Sequence, residues 1–196
     1  MKLHVVHGIH TRKPERIEAF ASEWEHYGFT PEVHAYGWVS AIRARRAAEE
    51  VGAKIAAERQ PMCVIGYSNG AAACYIAARL GADIKHMALL HPALRRDIDV
   101  PAQVRRIDVV ADPNDRALQW SPRWRTFRDI VTLGLLGDHW WGSLGRDGYT
   151  GPDTDDVHVH WRTGGHGDVL NDYCDGRKWW AQMLAGVADA TVRGPT

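Results

Sequence analysis

The chain has no excess of charge of either sign: 24 Lys and Arg stand against 24 Asp and Glu in 196 residues. A nucleic-acid-binding domain normally carries a basic excess, so this balance argues against that class of partner. Cysteine is scarce. Cys63, Cys74 and Cys174 are an odd number with neither zinc nor redox spacing, and the first two lie in apolar contexts where buried thiols are the ordinary reading. No long apolar run is present either. The runs within Met1–Thr11 and Thr132–Gly137 are far shorter than the ~20 residues of a membrane span. The first is also too short for the apolar region of a secretion signal. These absences lead us to expect a soluble, cytoplasmic protein without a membrane span. The near-neutral charge gives little protection against self-association.

Phenylalanine is also rare, with three residues against nine tryptophans, and histidine is abundant at eleven. The length fits a single domain spanning 1–196, and 45% hydrophobic residues suffice for a real core. Strand-length apolar runs alternate with helix-length segments, the pattern of an α/β protein with a mostly parallel sheet. Strands are predicted at Leu3–His7, Glu32–Tyr36, Met62–Gly66, Ile84–Leu90, Arg105–Val110 and Val157–Trp161. The short 32–36 strand is expected at an edge. Helices are predicted from Pro14 to about Tyr27, from a Ser40 cap to about Arg59, over about Asn69–Leu80, and over about Asn171–Ala190. Arg43, Arg45 and Arg46 interleave with Glu49, Glu50, Lys54 and Glu58, which reads as a solvated helix face. Residues 115–155 form an irregular excursion rich in Trp and Gly.

The sharpest local feature is Gly66-Tyr67-Ser68-Asn69-Gly70. It falls between a predicted buried strand and a predicted helix, the context in which G-x-S-x-G has chemical meaning. A strand that turns abruptly into a helix holds the serine in a strained backbone conformation where neighbouring side chains would collide. Gly66 and Gly70 remove those side chains, and Ala71 and Ala72 keep the next turn thin. The serine oxygen then projects from the carboxyl end of the sheet. The helix start adds partial positive charge and the Asn69 N–H.

With these residues the chain resembles the α/β-hydrolase family. The resemblance extends to His7-Gly8-Ile9-His10 after the first strand, where that family keeps an oxyanion loop, and to the order nucleophile, acid, histidine along the chain. It implies that Ser68 is the nucleophile, that His166 in the loop 163–168 is the general base, and that the N–H groups of Ile9 and Asn69 form an oxyanion hole. Two acids compete. Asp112 directly follows a strand and precedes Pro113, which also suits a turn or helix cap. Asp115 is followed by Arg116, Ala117 and Leu118, closer to the family's pattern, and is favoured with Asp112 as the alternative. The resemblance further implies a compact member with about six strands and no separate cap domain. Its expected activity is a serine esterase cleaving a small-molecule ester, with no cofactor and no metal. A catalytically silent scaffold that binds a partner or small molecule is the alternative.

Other residues are candidates of lower rank. His10 and His91 lie near the active end of the sheet, and Trp140 and Trp141 fall between acid and histidine; all four are candidate substrate contacts. Trp120 and Trp124 share a helical stripe with Phe127 and Val131, more typical of core. His158 and His160 share one face of a strand and resemble a metal pair with Asp155 or Asp156, although structural or surface histidines are the better reading.

Overall fold

In a computed structural model of the chain, the structure describes residues 1–9, 14–37, 41–119, 141–151, 157–167 and 170. The described residues form a six-stranded, all-parallel sheet flanked by helices, with no separate cap domain among them. In chain order the elements are β1 (Lys2–Val6), α1 (Pro14–Ser22), a 3-10 turn (Glu23–Tyr27), β2 (Thr30–His34), α2 (Ala41–Ala56), β3 (Met62–Tyr67), α3 (Gly70–Arg79), β4 (Ile84–Leu90) and β5 (Ile107–Ala111). The single helical turns α4 (Arg116–Gln119) and α5 (Leu144–Asp147) precede β6 (Val157–Trp161).

The strands are ordered β2-β1-β3-β4-β5-β6. The chain builds outward from β1 to β2, then returns to place β3 on the other side of β1. In open parallel sheets the carboxyl ends beside such a reversal leave a crevice where ligands bind. Here that point lies between the ends of β1 and β3, where Gly8 and Ser68 stand.

Each face of the sheet carries its own core. On one face Leu3, Val5, Ile65, Ala88 and Leu90 pack with Ile17, Phe20 and Trp24 of the α1 segment and with Leu170. On the other, Val6, Val64, Met87 and Leu89 pack under α2 and α3. Full burial of a side chain such as Leu89 stabilises the fold by roughly 1.5–3 kcal/mol. The alanines of α3 (Ala71, Ala72, Ala73, Ala77 and Ala78) are all buried, and their small volume brings that helix close to the sheet. Gly52 of α2 allows the matching approach: a Cβ there would stand 2.8 Å from the Ala73 carbonyl oxygen.

Several boundaries differ from the sequence expectation. β2 begins at Thr30 rather than Glu32, so Pro31 lies inside a strand, in register with Leu3. An edge strand tolerates a residue that lacks an N–H donor, and β2 is the edge. The first helix tightens to 3-10 geometry after Ser22 and stops at Gly28, whose φ of 79° is left-handed. α2 ends at Ala56 instead of Arg59, and β5 starts at Ile107 instead of Arg105. Cys63 and Cys74 are buried free thiols, and burial pushes the Cys63 thiol up to about 12. The Ser40 cap, the helix predicted over 171–190, Cys174 and the stripe of Trp120, Trp124, Phe127 and Val131 lie outside the described residues.

Candidate active site

Ser68 immediately follows β3 with a φ of 53°, a left-handed conformation shared among non-glycine described residues only by His91 at 44°. Each costs on the order of 1–3 kcal/mol and persists only where surrounding contacts enforce it. Here they do. Ser68 N–H donates to the Leu90 carbonyl at 2.9 Å, Ala93 N–H donates to the Ser68 carbonyl at 3.1 Å, and His91 N–H donates to Val110 at 3.0 Å. The glycines account for the rest. A Cβ on Gly66 would lie 2.6 Å from Ala71 Cα, and one on Gly70 would run into the Val6 carbonyl. Gly8 has a role that the sequence did not reveal: a Cβ there would press on Ser68 Cβ at 2.9 Å. The loop after β1 therefore lies directly against the serine. Asn69, buried, immediately precedes α3, and its side-chain Nδ2 donates to the Ala44 carbonyl at 3.4 Å.

The loop after β6 carries His166 to the same place. Its Nε2 lies 2.9 Å from Ser68 Oγ and its Nδ1 lies 2.6 Å from Asp115 Oδ2. A carboxylate can only accept, so Nδ1 carries the proton, and in the neutral ring Nε2 accepts from the serine hydroxyl. Tyr67 anchors this loop by donating its hydroxyl to the His166 carbonyl at 2.9 Å, and the two rings pack at 5.3 Å.

The two aspartates take different places. Asp115 is 1% exposed. Its Oδ2 also accepts from His91 Nδ1 at 3.0 Å, and its Oδ1 accepts from the Leu118 N–H at 3.1 Å. Burial alone would raise the Asp115 pKa, but hydrogen bonds from His166 and His91 outweigh it and hold the carboxyl well below the ordinary range. Asp112, fully buried, does not touch His166. Its Oδ1 accepts from the Asn114 N–H at 2.8 Å and its Oδ2 from the Gly164 N–H at 2.9 Å. One carboxylate thus shapes the turn that presents Asp115 and ties it to the loop that presents His166.

His91, considered above as a substrate contact, is 2% exposed and stands against the acid, its ring 5.7 Å from that of His166. Ile9 is half-buried in the turn after β1. The neighbouring His7 is buried, and burial lowers its pKa despite a 3.0 Å contact with the Gly8 carbonyl. Trp141 is half-buried and forms an antiparallel bridge with Leu94. The described end of the Trp/Gly-rich excursion packs into the fold: Leu144 is fully buried, Gly145 N–H donates to Pro92, and Asp112 N–H donates to Gly145. His10, Trp140, Asp155 and Asp156 lie outside the described residues. His158 is exposed, while His160 Nε2 meets Asp108 Oδ1 at 2.6 Å, so the two rings have different surroundings. A cavity of about 470 Å3 borders the Asp112 turn, lined by Pro113, Trp161, Arg162 and Thr163. Among the described residues, two groups of side chains converge closely enough to hold a cation, namely His91, Asp115 and His166 here and His4, Glu32 and His34 on the sheet edge.

No family model matches the chain, and no curated protein matches it. Among solved structures, one described as m3DLH is similar at 15% identity, covering 84% of this chain and 70% of its own, with a TM-score of 0.44.

Proposed function

We propose that this chain is an α/β-hydrolase that cleaves a carboxylic ester through an acyl-enzyme intermediate. The observation that carries the reading is the continuous relay from Ser68 Oγ to His166 at 2.9 Å and on to Asp115 at 2.6 Å. In this reading His166 Nε2 takes the serine proton as Oγ attacks the acyl carbonyl. The Asp115 carboxylate holds the reactive tautomer and stabilises the imidazolium as it forms. The N–H groups of Ile9 and Asn69 receive the oxyanion, supported by the amino end of α3. His166 then protonates the leaving alcohol and deprotonates the water that releases the acyl group. His91 positions the acid by giving its carboxylate a second imidazole N–H. The free buried thiols suit a reducing compartment, so we place the activity in the cytoplasm. No helix among the described residues is long and apolar enough to cross a membrane.

Burst kinetics with p-nitrophenyl esters of graded acyl length test this proposal, together with labelling by a serine-directed phosphonate. The wild-type chain should acylate and label at one site, and Ser68→Ala should do neither. Absence of acylation with every ester, with no labelling, would instead favour a silent scaffold.

A further inference from the structure

Away from Ser68, the edge of the sheet brings two histidines together. His4 of β1 is the register partner of Glu32 in β2, and His34 stands two residues further along the same face. His4 is fully buried and His34 is 6% exposed. His4 Nδ1 and His34 Nε2 lie 2.9 Å apart, and Glu32 Oε1 lies 3.7 Å from His34 Nε2. Glu58, just beyond α2, places Oε1 3.6 Å from His4 Nε2. That nitrogen has no hydrogen-bond partner among the described residues although it is buried. A buried polar atom left without a partner is costly, and the alternation of β1 would suit an aliphatic side chain there.

We propose that His4, His34 and Glu32 form a binding site for a zinc-like divalent transition metal, with solvent completing the coordination. Two neutral imidazoles with carboxylate oxygen form a donor set that suits Zn2+. The three ligand atoms already lie within 4.8 Å of one another, against the roughly 3.3 Å that tetrahedral bonds of about 2.0–2.1 Å require. Glu32, whose side chain is 32% exposed, supplies the freedom to close the gap. Two ammonium groups face the same carboxylates. Lys2 reaches Glu32 Oε2 at 2.8 Å and Glu58 at 2.7 Å, and Lys54 reaches Glu32 Oε1 at 2.7 Å. Lys54 is 63% exposed, so a metal displaces it into solvent at little cost, since exposed ion pairs contribute little to stability. Lys2 stays on Glu32 Oε2 and on Glu58 and offsets the remaining negative charge. An ion enters from the edge, past Glu32 and Lys54.

Titration calorimetry of the chelator-treated full chain with Zn2+, repeated with Co2+ to read tetrahedral ligand-field bands, tests the site. One equivalent should bind. His34→Ala and Glu32→Gln should weaken binding by about 100-fold or more, the upper end of what loss of a ligand's supporting partner costs. Lys54→Met should tighten binding by about three- to tenfold by removing the competing ammonium, and Ser68→Ala should bind as the wild type does. Circular dichroism reports folding. If His34→Ala does not fold, the partly exposed positions Glu32 and Lys54 carry the test. No stoichiometric binding by the wild type would overturn the proposal. So would unchanged affinity in Glu32→Gln, which would move the ion to another cluster such as His91, Asp115 and His166.

Discussion

Replacing Asp115 by asparagine removes one negative charge and leaves the shape of the side chain nearly intact. The carboxylate accepts from His166 at 2.6 Å, from His91 at 3.0 Å and from the Leu118 N–H at 3.1 Å. An amide has one accepting oxygen. If that oxygen keeps the two imidazoles, the new NH2 opposes the Leu118 N–H; if it turns to Leu118, the NH2 opposes both rings and drives His166 to the tautomer that cannot accept from Ser68. Either way a buried, charge-assisted contact is lost, at about 1.5–3 kcal/mol of stability. Under the proposed mechanism the larger effect falls on the transition state, where the imidazolium loses its counter-charge. Loss of this role lowers kcat by about 10^4 in triad enzymes, or about 5.5 kcal/mol of barrier at 1.36 kcal/mol per decade. Asp112→Asn is the control. It disturbs the hydrogen bonds to Asn114 and Gly164 without touching His166, so it should cost about 1–3 kcal/mol of stability and less than about 30-fold in kcat at temperatures where it is folded. The assay is the acylation burst and steady-state kcat on the best p-nitrophenyl ester, with urea melts alongside. If Asp115→Asn stayed within about tenfold of wild type while Asp112→Asn fell further, the assignment of the acid would be refuted.

Two further outcomes follow from the same geometry. The His34 pKa is held near 4 by burial and by the neighbouring His4, below its ordinary value of 6.5, so the unfolded chain takes up the proton first. Its contribution to stability is full above about pH 6.5 and is lost as pH falls toward 4, on the order of 3 kcal/mol. Urea melts of the metal-free protein across this range should show that slope, and His34→Gln should flatten it. Gly70→Ala places a Cβ against the backbone of Val6 and His7 and should destabilise by more than about 3 kcal/mol, since backbone atoms cannot move aside as a side chain can. A Tm within a few degrees of wild type would contradict that packing.

What could be read from the sequence was governed by neighbours a few residues apart. Apolar alternation and alanine-rich helical stretches marked the strands and helices, because burial period follows from local geometry. The steric demand at Gly66 and Gly70 was legible for the same reason: both glycines lie within two residues of Ser68. Boundaries shifted where tertiary position overrode composition, as with Pro31, which is acceptable in β2 only because that strand is the edge. The contacts that remained hidden bridge distant parts of the chain. Asp115 meets His166 across 51 residues and His91 across 24, and Asp112 meets Gly164 across 52. Between two aspartates three residues apart, periodicity cannot choose, since the choice depends on where β5 ends and on the turn that Asp112 itself builds. The His4–His34 pair is likewise a product of register between β1 and β2. Sequence by itself determined the α/β layering and the strained turn at Ser68. Only the order and register of the strands decided which charges face one another, because a side chain's partner is set by the placement of whole elements and not by its own neighbours.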